Sequence, residues 1–167
     1  TVGLLTDLAT DAKNPLGQIH AIWALEGIGK LTAAPIAAAL KAKDKKVAIS
    51  ALWAAASLPH PELLKLEEQL LALKPSDDET TVYLARALGP VATNAAFLKT
   101  NDLVNGSKLN YVKAAAFSGL ANRGAAFQAA VGDKLKDKTL TDWLKKAAQK
   151  KGPTGPNLKG ADLASYN

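Results

Sequence analysis

The same pattern of apolar residues, typical of one helix face, occurs twice in this chain, 30 residues apart. The stretch HAIWALEGIGK, residues 20–30, is followed at that spacing by SALWAAASLPH, residues 50–60. Large and small apolar residues recur in both at i, i+3 and i+4, which is the spacing of one helix face. A helix surface repeated at a fixed period predicts stacked units, because each unit leaves an apolar face that the next must cover.

The pattern extends beyond these two stretches. A shift of 30 residues aligns Trp23 with Trp53 and Trp53 with Tyr83, and a shift of 32 brings residues 115–120 onto the same pattern. Soon after each first helix a second one is predicted to start, at Thr32, Pro61, Ala92 and Gly124. We therefore expect an all-α fold: an α-α superhelix of HEAT-like or armadillo type, a right-handed stack of about four helical hairpins plus terminal helices.

Composition agrees with helices rather than strands. Ala is the commonest residue and aromatics make up only 5% of the chain, whereas sheets favour β-branched and aromatic residues. A plain helical bundle is the alternative, and it would show no register between segments. Tetratricopeptide repeats fit less well, because their period is 34 residues and their Trp-Leu-Gly-Tyr pattern is missing.

Local signals predict where the helices begin and end. Residues 76–79 and 139–142 have the spacing of a capping box, in which Ser76 and Thr139 would be the N-caps. One helix is predicted from Pro61 to just before Pro75, and the glycines of residues 27–29 end another. The other predicted helix starts or caps are Val2, Pro15, Thr32, Asp44, Thr93, Lys108 and Gly124.

No arrangement of residues in the chain points to a catalytic, cofactor-binding or metal site. His20 and His60 are the only histidines and fall in different repeats, as a helix-face residue and an N-cap. The carboxylates of residues 77–79 suit the first turn of a helix, where the dipole favours negative charge. Ser57 and Ser118 have no base nearby in sequence, and the absence of cysteine excludes thiolate chemistry and disulfides.

The tryptophans fall into two groups. Trp23 and Trp53 recur at the repeat period, which predicts packing in the core or between repeats, and Tyr83 fits the same position with its hydroxyl at a wet edge. Trp143 lies outside the aligned helices and is expected to pack the terminal cap.

The basic residues are almost all lysines, and the formal net charge is +6. Lysines at helix ends and on polar faces suit a solubilising surface. Arg, which makes most bidentate base contacts, occurs only at positions 86 and 123, so nucleic acid is an unfavoured partner.

A family resemblance rests on four stretches. HAIWALEGIG, residues 20–29, resembles a segment of the HEAT domains in large bacterial, membrane-bound heme-binding dehydrogenases of planctomycetes, verrucomicrobia and Bacteroidetes. Similar stretches follow in the same order and bring the resemblance to roughly residues 14–131: KDKKVAISALWAAASL (43–58), YLARALG (83–89) and YVKAAAFSGLANR (111–123). The family's turn motif is Asp-Pro-x-x-Arg, and the corresponding sequence in this chain is KDKKV.

The resemblance implies a function for a larger parent protein. In that family a quinoprotein-like β-propeller precedes the HEAT domain and a c-type cytochrome follows it. The chain would then be a non-catalytic scaffold for protein interaction, periplasmic or extracellular, with the flanking propeller and cytochrome as its partners. Heme c is expected only in the adjoining domain, because the Cys-x-x-Cys-His attachment motif is absent from residues 1–167.

Domain organisation follows the same interpretation. Residues 1–151 are predicted to form the repeat domain, beginning with a second helix that lacks its first, and residues 152–167 a Gly/Pro-rich linker or tail. Together with the missing initial Met, this favours a piece of a longer protein. The alternatives are a stand-alone HEAT adaptor for another protein and a DNA-binding HEAT-like protein with lysines along one concave face.

Overall fold

The computed structural model describes residues 1–149, and the predicted tail of residues 152–167 lies outside this range. Every regular element in residues 1–149 is helical. Two short 3-10 segments, Gly89–Val91 and Gly132–Lys134, follow α7 and α10. The α-helices are α1 (Val2–Thr10), α2 (Pro15–Gly27), α3 (Ala33–Ala39), α4 (Lys45–Ala55), α5 (His60–Leu64), α6 (Glu67–Ala72), α7 (Asp78–Leu88), α8 (Asn94–Gly106), α9 (Asn110–Gly119), α10 (Gly124–Val131) and α11 (Lys138–Gln149).

The helices form two layers, each ordered as in the sequence. In the A layer α2 packs on α4, α4 on α7, α7 on α9 and α9 on α11. In the B layer α1 contacts α3, and α6, α8 and α10 contact in succession, while α5 lies beside residues 89–91. The chain thus alternates between the layers from α1 to α11, apart from the consecutive B-layer helices α5 and α6. None of the helices within residues 1–149 is long and apolar enough to cross a membrane.

The core between the layers has two parts of different composition. The first extends from Ala9 to Ala96 and consists of Ala, Leu, Ile and Val side chains. The second contains the buried rings of Phe97 and Phe127 with aliphatic residues from α7 to α11.

Several predicted helix starts are confirmed. The helix at Pro15 begins there, with the Asn14 side chain accepting a hydrogen bond from the Gly17 amide. Asp44 and Thr93 cap α4 and α8 through their side-chain oxygens. Gly29 follows α2 with φ +65°, and the Lys30 amide bonds to the Leu25 carbonyl, so the glycine ends the helix as predicted.

Both predicted capping boxes are wrong. Asp77, not Ser76, caps α7 and accepts from the Thr80 amide at 3.0 Å. Asp137, not Thr139, accepts from the Leu140 amide at 2.8 Å at the start of α11. In each case a carboxylate near the predicted cap also pairs with a lysine of the preceding A-layer helix, which a local spacing rule does not include.

The single helix predicted after Pro61 is also wrong, because α5 and α6 are separate. At Lys65 and Leu66 the amides bond to carbonyls three residues back, which tightens and ends the turn. The change of direction lets Glu62 reach the Ala33 amide and Gln69 reach the Ala37 carbonyl. Thr32 occupies the predicted cap position of α3 but makes no side-chain capping bond. The Glu62 carboxylate instead accepts a hydrogen bond from the Ala33 amide, the first of the helix.

Helix α7 meets α9 through bare backbone. A Cβ added to Gly89 would lie 2.3 Å from the carbonyl carbon of Gly119, and one added to Gly119 would lie 2.4 Å from the Arg86 carbonyl oxygen. Neither distance is possible for a real side chain without movement of the backbone. Glycine is required at both positions because the backbone segments at Gly89 and Gly119 touch there.

Candidate functional site

A line of aromatic rings crosses three neighbouring helices of the A layer. The ring centroids of Trp23 on α2 and Trp53 on α4 are 6.4 Å apart, and those of Trp53 and Tyr83 on α7 are 5.6 Å apart. The planes are inclined by 59° and 63°, so each ring presents an edge to its neighbour. We call these three side chains the aromatic ladder.

The ladder is only half covered by the protein. Trp23 is 36% exposed and Trp53 is 42% exposed, whereas the adjacent Ile22 and Leu52 are buried in the core. The rings therefore pack between helices, as the 30-residue spacing predicts. The two indoles stay at the surface, whereas Tyr83 packs against the first part of the core. Large half-exposed rings in a continuous line form an apolar surface available to a ligand.

Arg86 reinforces the centre of the ladder. It lies one turn after Tyr83 on α7, and its guanidinium carbon is 4.1 Å from the centroid of the Trp53 ring. Such a cation is attracted to the negative face of the indole. Its Nη1 atom is buried without a hydrogen-bond partner in residues 1–149, so stacking on Trp53 is the contact that offsets its lost hydration.

A small cavity extends the ladder toward α9. Its volume is about 280 Å³, and the Tyr83 ring forms one wall. Tyr111 on α9 also lines it, and this side chain is 76% exposed and is among the most exposed apolar side chains in the described chain. We call this cavity the tyrosine pocket, and its lining residues are Asp78, Glu79, Val82, Tyr83, Leu109 and Tyr111.

Carboxylates give this end of the ladder a negative rim. Asp77 and Glu79 both pair with the Lys45 ammonium, at 2.9 and 3.1 Å. The Thr80 amide and the Lys45 ammonium lower the pKa of Asp77 to about 2, and the bonds from Asp77 and Glu79 raise the pKa of Lys45. Asp78 lines the pocket without an ion pair to any other residue in 1–149.

Polar bonds join residues about one period apart in the sequence. The Glu62 carboxylate accepts from the Ala33 amide at 2.8 Å, and the pKa of Glu62 is lowered by Lys65 and by that amide. The Gln69 amide group donates to the Ala37 carbonyl at 2.9 Å, and the Asn105 amide group donates to the Lys134 carbonyl at 2.8 Å. These bonds connect α3 to α5 and α6, and α8 to the segment after α10.

A second lysine–aspartate pair occurs near the end of the stack. Lys113 on α9 and Asp137 before α11 are 2.9 Å apart, and their side chains are only 12% and 14% exposed. Asp137 also bonds to the Leu140 amide, so one carboxylate both caps α11 and holds the preceding A-layer helix. Lys45 and Asp77 make the same arrangement between α4 and α7 on a more exposed surface.

The two histidines and Ser57 have separate surroundings. His20 is exposed on α2, and His60 begins α5, with its Nε2 atom 3.0 Å from the Val91 carbonyl oxygen. His60 was predicted as the N-cap of its helix, but Pro59 occupies that position. Ser57 bonds to the carbonyl three residues back. Within residues 1–149 no group of three or more His, Asp or Glu side chains could hold a metal ion.

Trp143 lies where the terminal helix meets α9. Its ring centroid is 5.7 Å from that of Phe117, which fits the predicted role in packing the end of the stack. Two shallow cavities of about 430 and 520 Å³ share Phe117 and Ala147 in this region.

Comparison of the chain with known proteins finds no matching family model, no matching curated protein and no matching solved structure. The site is therefore defined by its geometry alone. The sequence indicated the three ladder residues through their period. It did not single out Arg86 or Tyr111, although Arg86 lies three residues after Tyr83, a spacing that places both on one helix face.

Proposed function

We propose that this chain is a HEAT-like α-solenoid of about four helical hairpins that serves as a non-catalytic scaffold for protein interaction. The aromatic ladder supports the solenoid, because residues at a period of 30 occupy equivalent positions on consecutive A-layer helices. The cross-links between residues 29 and 32 positions apart support it on the B-layer side. Solenoids bind other proteins along extended surfaces made of such repeated positions.

The single observation that carries the scaffold role is the half-exposed ladder. A side chain needed only for stability would be expected to be covered, whereas Trp23 and Trp53 keep 36% and 42% of their surfaces open. Aromatic residues are enriched at protein interfaces because they bury much area at little cost in conformational entropy. The ladder is therefore the proposed docking surface.

The family resemblance extends this proposal to a parent protein. We propose that the scaffold is part of a heme-binding, cytochrome c-linked, quinoprotein-like dehydrogenase in the periplasm or outside the cell. Its partners would be the flanking propeller and cytochrome domains of the same polypeptide. The physical role would be to hold a redox centre and a heme at a workable separation.

Deleting one period tests the solenoid. Removing the 30 residues 30–59 takes out α3 and α4 and joins Gly29 to His60, the first residue of α5. A quasi-one-dimensional stack should still unfold cooperatively with a lower midpoint, because each unit contacts only its neighbours. Removing residues 32–44 is the control, since it deletes α3 alone and breaks the alternation between layers. If both deletions abolish the folded state in circular dichroism, the helices form a bundle instead.

The coding sequence on both sides of residues 1–167 tests the parent protein. We expect a Cys-x-x-Cys-His motif soon after Asn167 and a propeller before Thr1. A stop codon directly after Asn167 would contradict the dehydrogenase and leave a stand-alone adaptor. That result would not affect the scaffold role of the ladder.

A further inference from the structure

We infer that Asn105 is a site of spontaneous covalent modification, where attack by the Gly106 backbone nitrogen turns the side-chain amide into a carboxylate and loosens the last helices of the stack. The segment affected is residues 132–137, between the end of α10 and the start of α11, which we call the connector. The site is independent of the proposed scaffold function, because it is defined by hydrogen bonds and chemistry at one position.

The Asn105 side chain holds the connector to α8 by bonding its backbone in both directions. The Nδ2 group donates to the Lys134 carbonyl at 2.8 Å, and the Oδ1 atom accepts from the Lys136 amide at 3.1 Å. A backbone carbonyl only accepts and a backbone amide only donates, so these partners fix which end of the side chain is nitrogen. We call the two bonds the amide clamp. A carboxylate, which only accepts, cannot make both of them.

The residue after Asn105 makes this amide chemically labile. Gly106 has no side chain to hinder the approach of its backbone nitrogen to the Asn105 Cγ atom, and a Cβ added there would meet nothing within 4 Å. No other asparagine in the chain is followed by glycine. Both residues are exposed in the last turn of α8, where helix ends fray.

The reaction needs no partner other than water. The Gly106 nitrogen bonds to Cγ, the Cγ–Nδ2 bond breaks, and ammonia leaves with the proton that the Gly106 amide loses. Water then opens the cyclic imide at either of its carbonyls. One opening gives aspartate, and the other gives isoaspartate, in which the main chain continues through Cγ.

Either product breaks the amide clamp. A carboxylate at position 105 can still accept from the Lys136 amide, but it has no proton for the Lys134 carbonyl and places a negative oxygen against it. Isoaspartate also adds a methylene group to the backbone at the end of α8. The pair between Lys113 and Asp137 would then be the remaining polar contact between the connector and another helix in residues 1–149.

The folded structure controls how fast the site reacts. The amide must leave both connector partners before Cγ can meet the Gly106 nitrogen, so the reaction proceeds from locally opened molecules. Four of the six connector residues are exposed, which is typical of a segment that opens locally. The folded chain should therefore react more slowly than the unfolded chain, at a rate that reports the opening of the connector.

Incubation of the full chain at mildly alkaline pH tests the site, because base promotes loss of the Gly106 amide proton. Peptide mapping by mass spectrometry should find aspartate and isoaspartate at position 105 before any other asparagine of residues 1–149 reacts. Gly106→Ala should slow the reaction tenfold or more without loss of the fold, since the added methyl group hinders ring closure but meets no neighbour.

Two lysine variants test whether opening of the connector sets the rate. Lys113→Met removes the cation that holds Asp137 and should speed modification of Asn105 severalfold. Lys45→Met is the matched control, because it breaks the pair between α4 and α7 and leaves the connector alone. Its rate should equal that of the wild type.

The product can also be made directly. Asn105→Asp should lower the melting temperature by a few degrees and speed hydrogen exchange of the connector amides. Asn110→Asp makes the same chemical change at the exposed first residue of α9, where negative charge is favourable, and should lower neither stability nor protection.

Three results would overturn the inference. The first is a folded chain in which Asn105 stays intact while the urea-unfolded chain reacts. The second is an equal rate in the Lys113→Met and Lys45→Met variants. The third is an Asn105→Asp variant with the melting temperature and the connector exchange of the wild type, which would mean that the clamp does not hold the connector.

Discussion

The two halves of the A layer join their helices by different means. From α2 to α7 the junctions are half-exposed aromatic rings with Arg86 stacked on Trp53. From α7 to α9 the helices touch through the glycine backbones of Gly89 and Gly119. Beyond that, the ring of Trp143 packs on Phe117 between α11 and α9.

The difference shows that neighbouring A-layer helices can pack with or without leaving side-chain surface exposed between them. Side chains that bridge a gap between helices leave their outer edges exposed, as Trp23 and Trp53 do. At the glycine junction the two backbones touch directly, with no side chain at Gly89 or Gly119 between them. On the proposed function, the docking surface would be the exposed ladder rings in the first half of the layer.

Truncating one ladder ring and one buried ring of the second core part, Phe127 on the B-layer helix α10, should give the largest contrast. Phe127 is fully buried against Phe97, so Phe127→Ala should lower the free energy of unfolding by about 4 kcal/mol through a cavity and lost contacts. Trp53→Ala should cost about 1–2 kcal/mol, because much of that ring already faces solvent. Urea unfolding measures both. Equal losses would mean that the ladder belongs to the core, and the proposed docking surface would then be wrong.

Adding one methyl group tests the glycine junction. Gly119→Ala should destabilise the fold by about 3 kcal/mol, because its Cβ would collide with the Arg86 carbonyl and force α7 and α9 apart. Gly27→Ala is the control, since nothing lies within 4 Å of that added Cβ and alanine favours the helix. Chemical denaturation of both variants gives the comparison. A tolerated Gly119→Ala would show that the backbones do not touch.

The two lysine–aspartate pairs differ in burial and should differ in effect. Lys113→Met leaves the nearly buried Asp137 carboxylate without its cation and should cost about 2 kcal/mol in unfolding free energy. Lys45→Met removes an exposed pair that solvent and salt already screen, so its midpoint should stay close to that of the wild type. Thermal unfolding at low and high salt measures both. The comparison fails if Lys45→Met is the more damaging change.

Acid should remove the smallest contribution. The pKa of Asp77 is lowered from 3.8 to about 2, so its charged form stabilises the fold above about pH 4, and this stabilisation is lost as the pH falls toward 2. Asp77→Asn can still cap α7 but cannot pair with Lys45. Its melting temperature should lie only slightly below that of the wild type at pH 6, because the neutral amide is a weaker acceptor for the Thr80 amide, and the gap should close near pH 2.

A matched carboxylate provides the control for this pH dependence. Asp102 is exposed on α8 and makes no ion pair within residues 1–149, so Asp102→Asn should follow the wild-type melting curve at every pH. A gap for Asp77→Asn that is independent of pH would mean that the charge of Asp77 does not stabilise the fold.

Much of the local structure could be predicted because its causes are local. Proline at 15, the side-chain caps Asp44 and Thr93, and the positive φ of Gly29 act within a few residues of one helix end. The 30-residue period that aligns Trp23, Trp53 and Tyr83 could also be found in the sequence. The apolar residues of one helix face recur at that period, and the structure brings the three rings into contact.

The predictions are wrong where a residue of another helix determines which side chain caps a helix. Asp77 and Asp137 replaced the predicted caps at residues 76 and 139, and each of them also binds a lysine more than 20 positions earlier. Glu62 bonds the free amide at the start of α3 from α5, which no rule about α3 alone could include. The tyrosine pocket was missed for the same reason, because its two rings come from α7 and α9.

By itself the sequence determined the helical class, most helix starts and the period of the aromatic side chains, because propensity, capping and amphipathic spacing operate over one or two turns. Only the tertiary structure decided which carboxylates became caps, that Gly89 and Gly119 must meet without side chains, and that the ladder stays half exposed beside an acidic pocket. Those outcomes depend on distances between helices, and such distances follow from the packing of the whole stack.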